Sequence, residues 1–396
     1  MLLLRSIQQK LKTSGFDLCH PIHTAWYNQM IQNEGLVESG ILQLLPEPSP
    51  SIRVQRVDDA AASGDALPSS SSSFSYNAVL IGNTKVVWSS FIDWLAMKVE
   101  EKKRQQESII VSGGGNNATT TTTHHHYDAA VKDVIHSNPF DTYCEESLSK
   151  SLQELCSRDN ESKIASYELF WSNGKRQKFS TNSQQEHNTM PNNNNDTKHQ
   201  HHCYDNSLQD SFLVSMQRIA SASGQYWHDE ENTKLCVHPV HGTWMAFRAL
   251  VIFELESSCP NDDGNDSAVP LPTPCPCPLS EDEMKEAKRI FDYALELNTS
   301  NSQQGNSNTA RSYGTQSNKT WEELCTFLHH QVCKGSDWDE VPESMKPWIE
   351  LRNSIDVGRS DWKYDEAQLL YHYTKDPNIL RRELDRVQCS KKEEND

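Results

Sequence analysis

Five low-complexity stretches interrupt this chain of 396 residues, and they limit most strongly what it can fold into. Their Ser, Thr, Asn, Gln and His residues cannot bury enough apolar surface to offset the entropy lost on ordering. The length alone would allow two or three domains. We instead predict one domain over residues 1–388, followed by a charged tail at 389–396. The predicted insertions are residues 58–75, 105–127, 184–205, 257–279 and 298–319.

The excess of acidic residues restricts the partners of this protein. The chain has 37 Lys and Arg against 55 Asp and Glu, a formal net charge of −18. Such a surface repels phosphate backbones and anionic lipid headgroups. No window approaches the roughly 18 consecutive apolar residues of a spanning helix, and the start, MLLLR, is shorter than a secretory apolar segment. We expect no nucleic-acid partner, no membrane partner and a cytoplasmic location.

The eleven cysteines form no regular framework, and an odd number cannot all pair within one chain. We expect reduced thiols, as in a cytosol. The string PCPCP at 274–278 lacks the two-residue spacing of zinc knuckles and iron–sulfur runs, so we interpret it as a proline-stiffened loop. The three histidines at 124–126 lie in low-complexity sequence, and we expect no metal site there.

Hydrophobic periodicity between the insertions predicts both strands and helices, which favours an α+β or α/β fold. Residues 244–255 are apolar on both alternating faces except at Arg248 and Glu254, as expected of a strand covered on both sides. Leu4, Ile7 and Leu11 keep helical spacing up to Gly15. Further strands are predicted at 76–81, 164–171 and 234–238, and further helices at 86–99, 144–156, 212–222, 281–297, 320–332 and 364–373.

Three local strings carry a family resemblance. Residues 15–16 (GF) followed by 21–28 (PIHTAWYN), and then 236–248 (CVHPVHGTWMAFR), closely resemble segments of the cobalamin-processing family typified by the cobalamin type C disease protein (MMACHC). The string NPFD at 138–141, with the leucine-rich helix after it, falls between them in the right order. The resemblance runs from about residue 6 to residue 384 once the insertions are removed, and CxHPxxGxW is its specific part.

The resemblance implies a modified nitroreductase-like α+β fold that binds the corrinoid with its dimethylbenzimidazole base detached from cobalt. It implies reductive decyanation of cyanocobalamin with reduced flavin, FMN or FAD, and dealkylation of alkylcobalamins by glutathione. It further implies NADPH used through a partner reductase, and a cobalamin type D family protein as a partner. Because cobalt, flavin and thiol supply the chemistry, the protein need only bind, orient and exclude water, so we expect no catalytic side chain.

By position, the resemblance places corrinoid contacts on ten residues. For Tyr226 and Trp227, a helix end packed on the core is the alternative role, and for Cys236 it is a buried inert thiol. The ten are Ser166, Phe179, Ser180, Thr181, Asn182, Gln225, Tyr226, Trp227, Cys236 and Phe247.

Arg248 interrupts an otherwise apolar strand, and a buried guanidinium must be paired or must await an anion. The resemblance implies that Arg248 holds a glutathione carboxylate. It also implies two further arginines near the C-terminus, which here are Arg352 and either Arg381 or Arg382. Salt bridges to the chain's many carboxylates are the alternative role for these C-terminal arginines.

His238 and His241 lie in the most specific string. We interpret His238, followed by proline, as shaping the turn into the next strand, and His241 as local sequence without a chemical role.

Two other functions remain open from the sequence: a non-catalytic cobalamin chaperone and a flavin nitroreductase. The chain lacks the D-x-H-x-x-G string of mutases that replace the lower base with a histidine. It also lacks a four-cysteine ferredoxin run, which separates it from iron–sulfur reductases.

Overall fold

The computed structural model describes residues 2–46, 52–55, 73–112, 122–135, 138–158, 164–180, 214–255, 271–303 and 345–393. The predicted contacts Thr181 and Asn182, the predicted insertion 184–205 and the predicted helix 320–332 lie outside these residues. Ser180 is described only as the last residue of a strand.

Helices and strands are mixed along the chain, as the hydrophobic periodicity predicts. The helices are α1 (Leu2–Lys12), α2 (Thr24–Asn33), α3 (Val87–Ser112), α4 (Thr122–Ile135), α5 (Pro139–Arg158), α6 (Met216–Ala222), α7 (Glu281–Gln303), α8 (Lys346–Asn353), α9 (Arg359–Trp362), α10 (Glu366–Thr374) and α11 (Pro377–Glu393). The strands are β1 (Leu18–Ile22), β2 (Ile52–Gln55), β3 (Ser73–Tyr76), β4 (Ala78–Asn83), β5 (Ile164–Trp171), β6 (Arg176–Ser180), β7 (Trp227–His228), β8 (Cys236–Val237) and β9 (Ala246–Leu255).

A five-stranded antiparallel sheet with the order β1-β4-β9-β5-β6 organises the fold. Its central strand is β9, where Ala249 pairs with Ile81 of β4 and with Trp171 of β5. The pairs β2–β3 and β7–β8 form separate two-stranded ribbons. This antiparallel sheet with helices confirms a mixed fold of the α+β kind.

Strand β9 is covered on both sides, which confirms the prediction from its continuous apolar sequence. Val251 and Phe253 belong to a core built with α1, α3, α4, α5, α10 and α11, and we call this side of the sheet the α3 face. Leu250 and Ile252 belong to a core built with α2 and α6, on the side that we call the α2 face. Alternate residues of a strand point to opposite faces, so each face receives one half of β9.

Several element boundaries differ from those predicted. Helix α3 continues to Ser112 and α4 begins at Thr122, so both extend into the predicted insertion 105–127. Helix α7 likewise continues into the predicted insertion 298–319. Once a helix has formed, each added residue gains a hydrogen bond, and polar residues other than Gly and Pro allow this growth. Accordingly, α3 ends just before the three glycines at 113–115.

None of the helices in the described residues is long and apolar enough to cross a bilayer.

Candidate functional site

A tight turn at residues 238–242 follows β8 and leads toward β9. The amide of His238 donates to the carbonyl of Gly242 at 3.0 Å, and the Gly242 amide donates back at 2.8 Å. Nδ1 of His238 accepts hydrogen bonds from the amides of Val240, at 3.1 Å, and His241, at 3.2 Å. These contacts support the interpretation of His238 as the residue that shapes the turn.

Gly242 presses this turn against the C-terminal part of the chain. Its φ is +59°, and a Cβ atom at this position would lie 1.8 Å from the carbonyl oxygen of Val357. A Cβ on Gly358, where φ is +67°, would lie 2.4 Å from the carbonyl oxygen of Val240. Only glycine permits this backbone approach, so the turn and residues 357–358 are held together.

Five rings, which we call the ring cluster, lie beside the turn on the α2 face. Tyr226 is at its centre and contacts His20 at 5.1 Å, His238 at 5.0 Å and Phe247 at 5.3 Å between ring centroids. His241 stacks on His238 at 4.5 Å. Tyr226 is 1% exposed, and its hydroxyl has no hydrogen-bond partner among the residues that the structure describes. A buried hydroxyl without a partner is costly, so it favours a site that acquires one from a ligand.

A cleft of about 510 Å³ opens next to the ring cluster. Its volume lies in the range of small-molecule sites, about 300–1,000 Å³. Cys19, His20 and Pro21 contribute from β1, and Gln225 contributes from the segment before β7. Further lining residues come from α1, so the cleft lies beside the first sequence string.

The histidines of the ring cluster are neutral near pH 7. Burial lowers the pKa of His20 to about 4, and burial together with the neighbouring His241 and His20 lowers the pKa of His238 to about 3. The cluster thus presents uncharged rings and imidazole nitrogens rather than positive charge.

These pKa values predict a specific acid sensitivity. In the unfolded chain, His20 has its ordinary pKa of 6.5 and is protonated below that pH. In the folded protein it is protonated only below about pH 4. The stability that it contributes is therefore complete above pH 6.5 and is lost as the pH falls toward 4. We expect the free energy of unfolding of His20→Asn, measured by denaturant titration, to fall less steeply between pH 7 and pH 4 than that of the wild type. The difference in slope should be up to about 1.4 kcal/mol per pH unit. Parallel curves for wild type and variant would contradict the prediction.

Arg248 lies on the α3 face, where it contacts Phe140. A register shift in β9, between Phe247 and Ala249, breaks the regular alternation at this position. Its Nε donates to Oδ1 of Asn83 at 2.6 Å, and its guanidinium lies 4.6 Å from the ring centroid of Phe140. Within the described residues, no carboxylate lies within ion-pair distance of Arg248. A guanidinium held by a neutral amide and an aromatic ring remains available to an anion.

Arg352 of α8 is held by two aromatic rings. Its guanidinium lies 4.6 Å from the ring centroid of Trp244 and 4.9 Å from that of Tyr364, and it donates to the carbonyl of Thr243. No ion pair to a carboxylate joins it in the part of the chain that the structure describes. Burial, followed by the charges of Lys375, Arg352 and Arg248, lowers the pKa of His372 far below its usual value. The charges of Arg248 and Arg352 thus both act on one imidazole.

The structure does not bring all the predicted corrinoid contacts together. Gln225, Tyr226 and Phe247 meet at the cleft and the ring cluster. Phe179 stacks on Tyr167 at 4.7 Å instead, and both pack on the α3 face, across the sheet from the ring cluster. The reason is strand alternation, since register pairs Phe179 with Tyr167 and therefore assigns both side chains to one face.

The remaining predicted site residues have other partners. Oγ of Ser166 donates to Glu254 at 2.5 Å. Trp227 packs beside a small core that contains Val237 and Leu351. Cys236 packs against the α2-face core, and burial raises the pKa of its thiol. Arg381 forms an ion pair of 2.5 Å with Asp128 of α4, which is the alternative role that the sequence left open for it.

Comparisons with known proteins find similarity among solved structures. No family model matches the sequence, and no curated protein matches it. A crystal structure of the B12-trafficking protein CblC from C. elegans, described as a homologue of human MMACHC, is 15% identical. The match covers 90% of this chain and 96% of that chain, with a TM-score of 0.37. At this TM-score the match establishes neither the fold nor the function of the chain.

Sequence reasoning missed His20, Trp244, Tyr364 and His372. His20 lies between the two parts of the first string, and this position was a usable signal. For Tyr364 and His372 no local pattern was available, because their position beside Arg352 depends on how α8 and α10 pack together.

Proposed function

We propose that this protein processes cobalamin: it binds the corrinoid with the lower base detached and removes the upper axial ligand. The observation that supports this proposal is that the three resembling strings meet in the folded chain. His20, which lies between the two parts of the first string, is 5.8 Å from His238 of the second, between ring centroids. Tyr27 of the first string and Met245 of the second pack in the same α2-face core. Arg248 of the second string contacts Phe140 of the third at 4.6 Å. A single shared site requires this proximity.

The cleft and the ring cluster are the proposed corrinoid site. Uncharged rings suit the faces of a large macrocycle. The hydroxyl of Tyr226, which has no partner within the described part of the chain, suits an amide at the edge of the macrocycle. Gln225, Tyr226, Cys236 and Phe247 are the contacts that this geometry supports best. A site with higher affinity for the base-off form than for the base-on form shifts cobalamin toward it by that difference in affinity.

Arg248 and Arg352 are the proposed carboxylate-binding residues for glutathione. Both guanidinium groups are fixed by aromatic rings and neutral hydrogen-bond acceptors, and each retains donors for a carboxylate. In this proposal, glutathione supplies the thiol for dealkylation, and reduced FMN or FAD supplies electrons for decyanation. Arg248 orients the tripeptide through its carboxylate, and the rings around Arg352 exclude water.

The cellular setting belongs to the same proposal. Seven cysteines within the described residues are free thiols, as in a reducing cytoplasm. We propose a reductase that uses NADPH as the source of reduced flavin, and a cobalamin type D family protein as the recipient of the product. The modified nitroreductase-like fold and the contacts at Ser166, Phe179, Ser180, Thr181, Asn182 and Trp227 remain predictions.

The visible absorption spectrum of cyanocobalamin tests ligand and coordination state together. With excess protein we expect the spectrum to shift to the base-off form, and an unchanged spectrum would contradict the proposal. Cyanide release with reduced flavin then separates an enzyme from a chaperone, which would shift the spectrum without releasing cyanide. A purified protein that is yellow from bound flavin and does not bind cobalamin would instead indicate a flavin nitroreductase.

Removing the hydroxyl of Tyr226 should affect the free and the liganded protein differently. In Tyr226→Phe we expect the free energy of unfolding to stay equal or to rise by up to about 1 kcal/mol, because a buried donor without a partner is removed. Corrinoid affinity should fall by roughly tenfold, the value of one hydrogen bond of about 1.4 kcal/mol. Chemical denaturation and spectral titration measure the two quantities. An unchanged corrinoid affinity would show that the Tyr226 hydroxyl does not contact the corrinoid.

A further inference from the structure

A loop at residues 271–280 has sulfur chemistry that the proposed function does not use. It packs against Gly224, the residue before Gln225 of the cleft, because a Cβ on Gly224 would lie 2.5 Å from the carbonyl oxygen of Thr273. The loop carries Cys275 and Cys277 between three prolines, and it leads directly into α7. Proline fixes φ, so this loop has few conformations to lose when it binds a ligand.

Three sulfur atoms lie on this loop and the first turn of α7. Sγ of Cys277 donates to Sδ of Met284 at 3.8 Å. Cys275 is two residues before Cys277 and close enough to interact with it electrostatically: burial, then the neighbouring Cys277, raises the pKa of the Cys275 thiol. Both cysteines are free, and Cys277 is exposed to solvent.

A capping box fixes the position of Met284 relative to the loop. The amide of Ser280 donates to Oε2 of Glu283 at 2.9 Å, and the amide of Glu283 donates to Oγ of Ser280 at 3.2 Å. This reciprocal pair sets where α7 begins. Because Met284 follows Glu283 directly, the thioether is held over the end of the loop before any ligand binds.

We propose that Cys275, Cys277 and Met284 bind a soft monovalent cation of the Cu(I) class. With metal–sulfur bonds of about 2.3 Å, three sulfurs arranged trigonally around an ion stand about 4 Å apart. The Cys277–Met284 sulfur distance of 3.8 Å is close to that separation. Thiolate and thioether ligands together select Cu(I) over harder ions, and each thiol releases its proton on binding.

A divalent ion fits this loop less well. Zinc prefers four ligands drawn from Cys, His, Asp and Glu. In the residues that the structure describes, no group of three or more such side chains is placed to hold a metal ion. The loop offers two thiols and a thioether instead, which is a ligand set for a cation of low coordination number.

The experiment uses the full chain with Cu(I) alone, buffered by bathocuproine disulfonate, and without any corrinoid. We expect one equivalent of Cu(I) to protect Cys275 and Cys277, but not the exposed Cys389, from iodoacetamide, as read by peptide mass spectrometry. In spectra of methyl-13C-methionine, the Met284 resonance should shift. Alkylation of Cys275 and Cys277 at an unchanged rate, or equal protection by Zn²⁺, would overturn the proposal.

Conservative variants separate ligand loss from misfolding. Met284→Leu should weaken Cu(I) binding by at least the roughly 10–100-fold typical of lost outer-shell support around a metal. The control Met97→Leu changes a methionine on α3 that is 53% exposed, and it should leave the affinity unchanged. Wild-type affinity in Met284→Leu would overturn the thioether role. Because no corrinoid is present, these outcomes are independent of the proposed cobalamin function.

Discussion

Alanine at position 242 is expected to lower the free energy of unfolding by about 3 kcal/mol or more, because two penalties combine. The added Cβ would meet the carbonyl oxygen of Val357 at 1.8 Å, and this backbone atom cannot move aside cheaply. The left-handed conformation, with φ at +59°, adds a cost of its own for any residue with a side chain. Urea unfolding measures the loss. The variant should also separate the 238–242 turn from residues 357–358, which would disturb the ring cluster and weaken corrinoid binding.

Gly40→Ala is the matched control for this variant. Gly40 has a similar φ of +69°, and no atom lies within 4 Å of the Cβ that alanine would add. It carries the conformational cost alone, about 1 kcal/mol. If Gly40→Ala and Gly242→Ala lost equal stability, the close approach of the turn to Val357 would not be the cause.

Arg248→Gln should reduce glutathione-dependent dealkylation by roughly 10–100-fold, the value of a charged hydrogen bond of about 1.5–3 kcal/mol. Glutamine retains a donor for the Oδ1 atom of Asn83, so the strand should remain in place. Corrinoid affinity should change by less than about threefold, since Arg248 and the ring cluster lie on opposite faces of β9. Initial rates with methylcobalamin and glutathione, together with spectral titrations, measure the two effects.

Arg381→Gln is the control for that experiment. Arg381 forms its ion pair with Asp128 at the surface, and its side chain is 44% exposed. Exposed ion pairs contribute little, so we expect dealkylation to stay within about twofold of wild type. Equal losses in the Arg248 and Arg381 variants would reject the assignment of the carboxylate to Arg248. Equal losses of dealkylation and corrinoid binding in Arg248→Gln would reject it too.

Much of the secondary structure could be predicted from local pattern. The strand at 164–171 matches β5, and the apolar run around Arg248 predicted a strand covered on both faces. Helix lengths were less predictable, because α3 continues through polar residues up to the glycines at 113–115. Hydrophobic periodicity shows where a helix packs on a core, but helix ends beyond the core depend on local propensity.

The candidate site was predictable only in part. Tyr226 and Phe247 meet beside the cleft, as two contacts of one site should. Phe179 lies across the sheet from them, and Arg381 pairs with Asp128. Contacts carried over by position depend on register, and a shift of one residue in a strand moves a side chain to the opposite face.

The amino-acid sequence by itself indicated many of the segments that form helices and strands, and it determined that Arg248 is a charge within an apolar strand. These properties depend on neighbouring residues, so periodicity and composition reveal them. The tertiary structure decided which distant residues meet: His20 with His238, Arg248 with Phe140, and Arg352 with Trp244. Such meetings depend on strand order, on register and on how helices pack across the sheet, which no local pattern encodes.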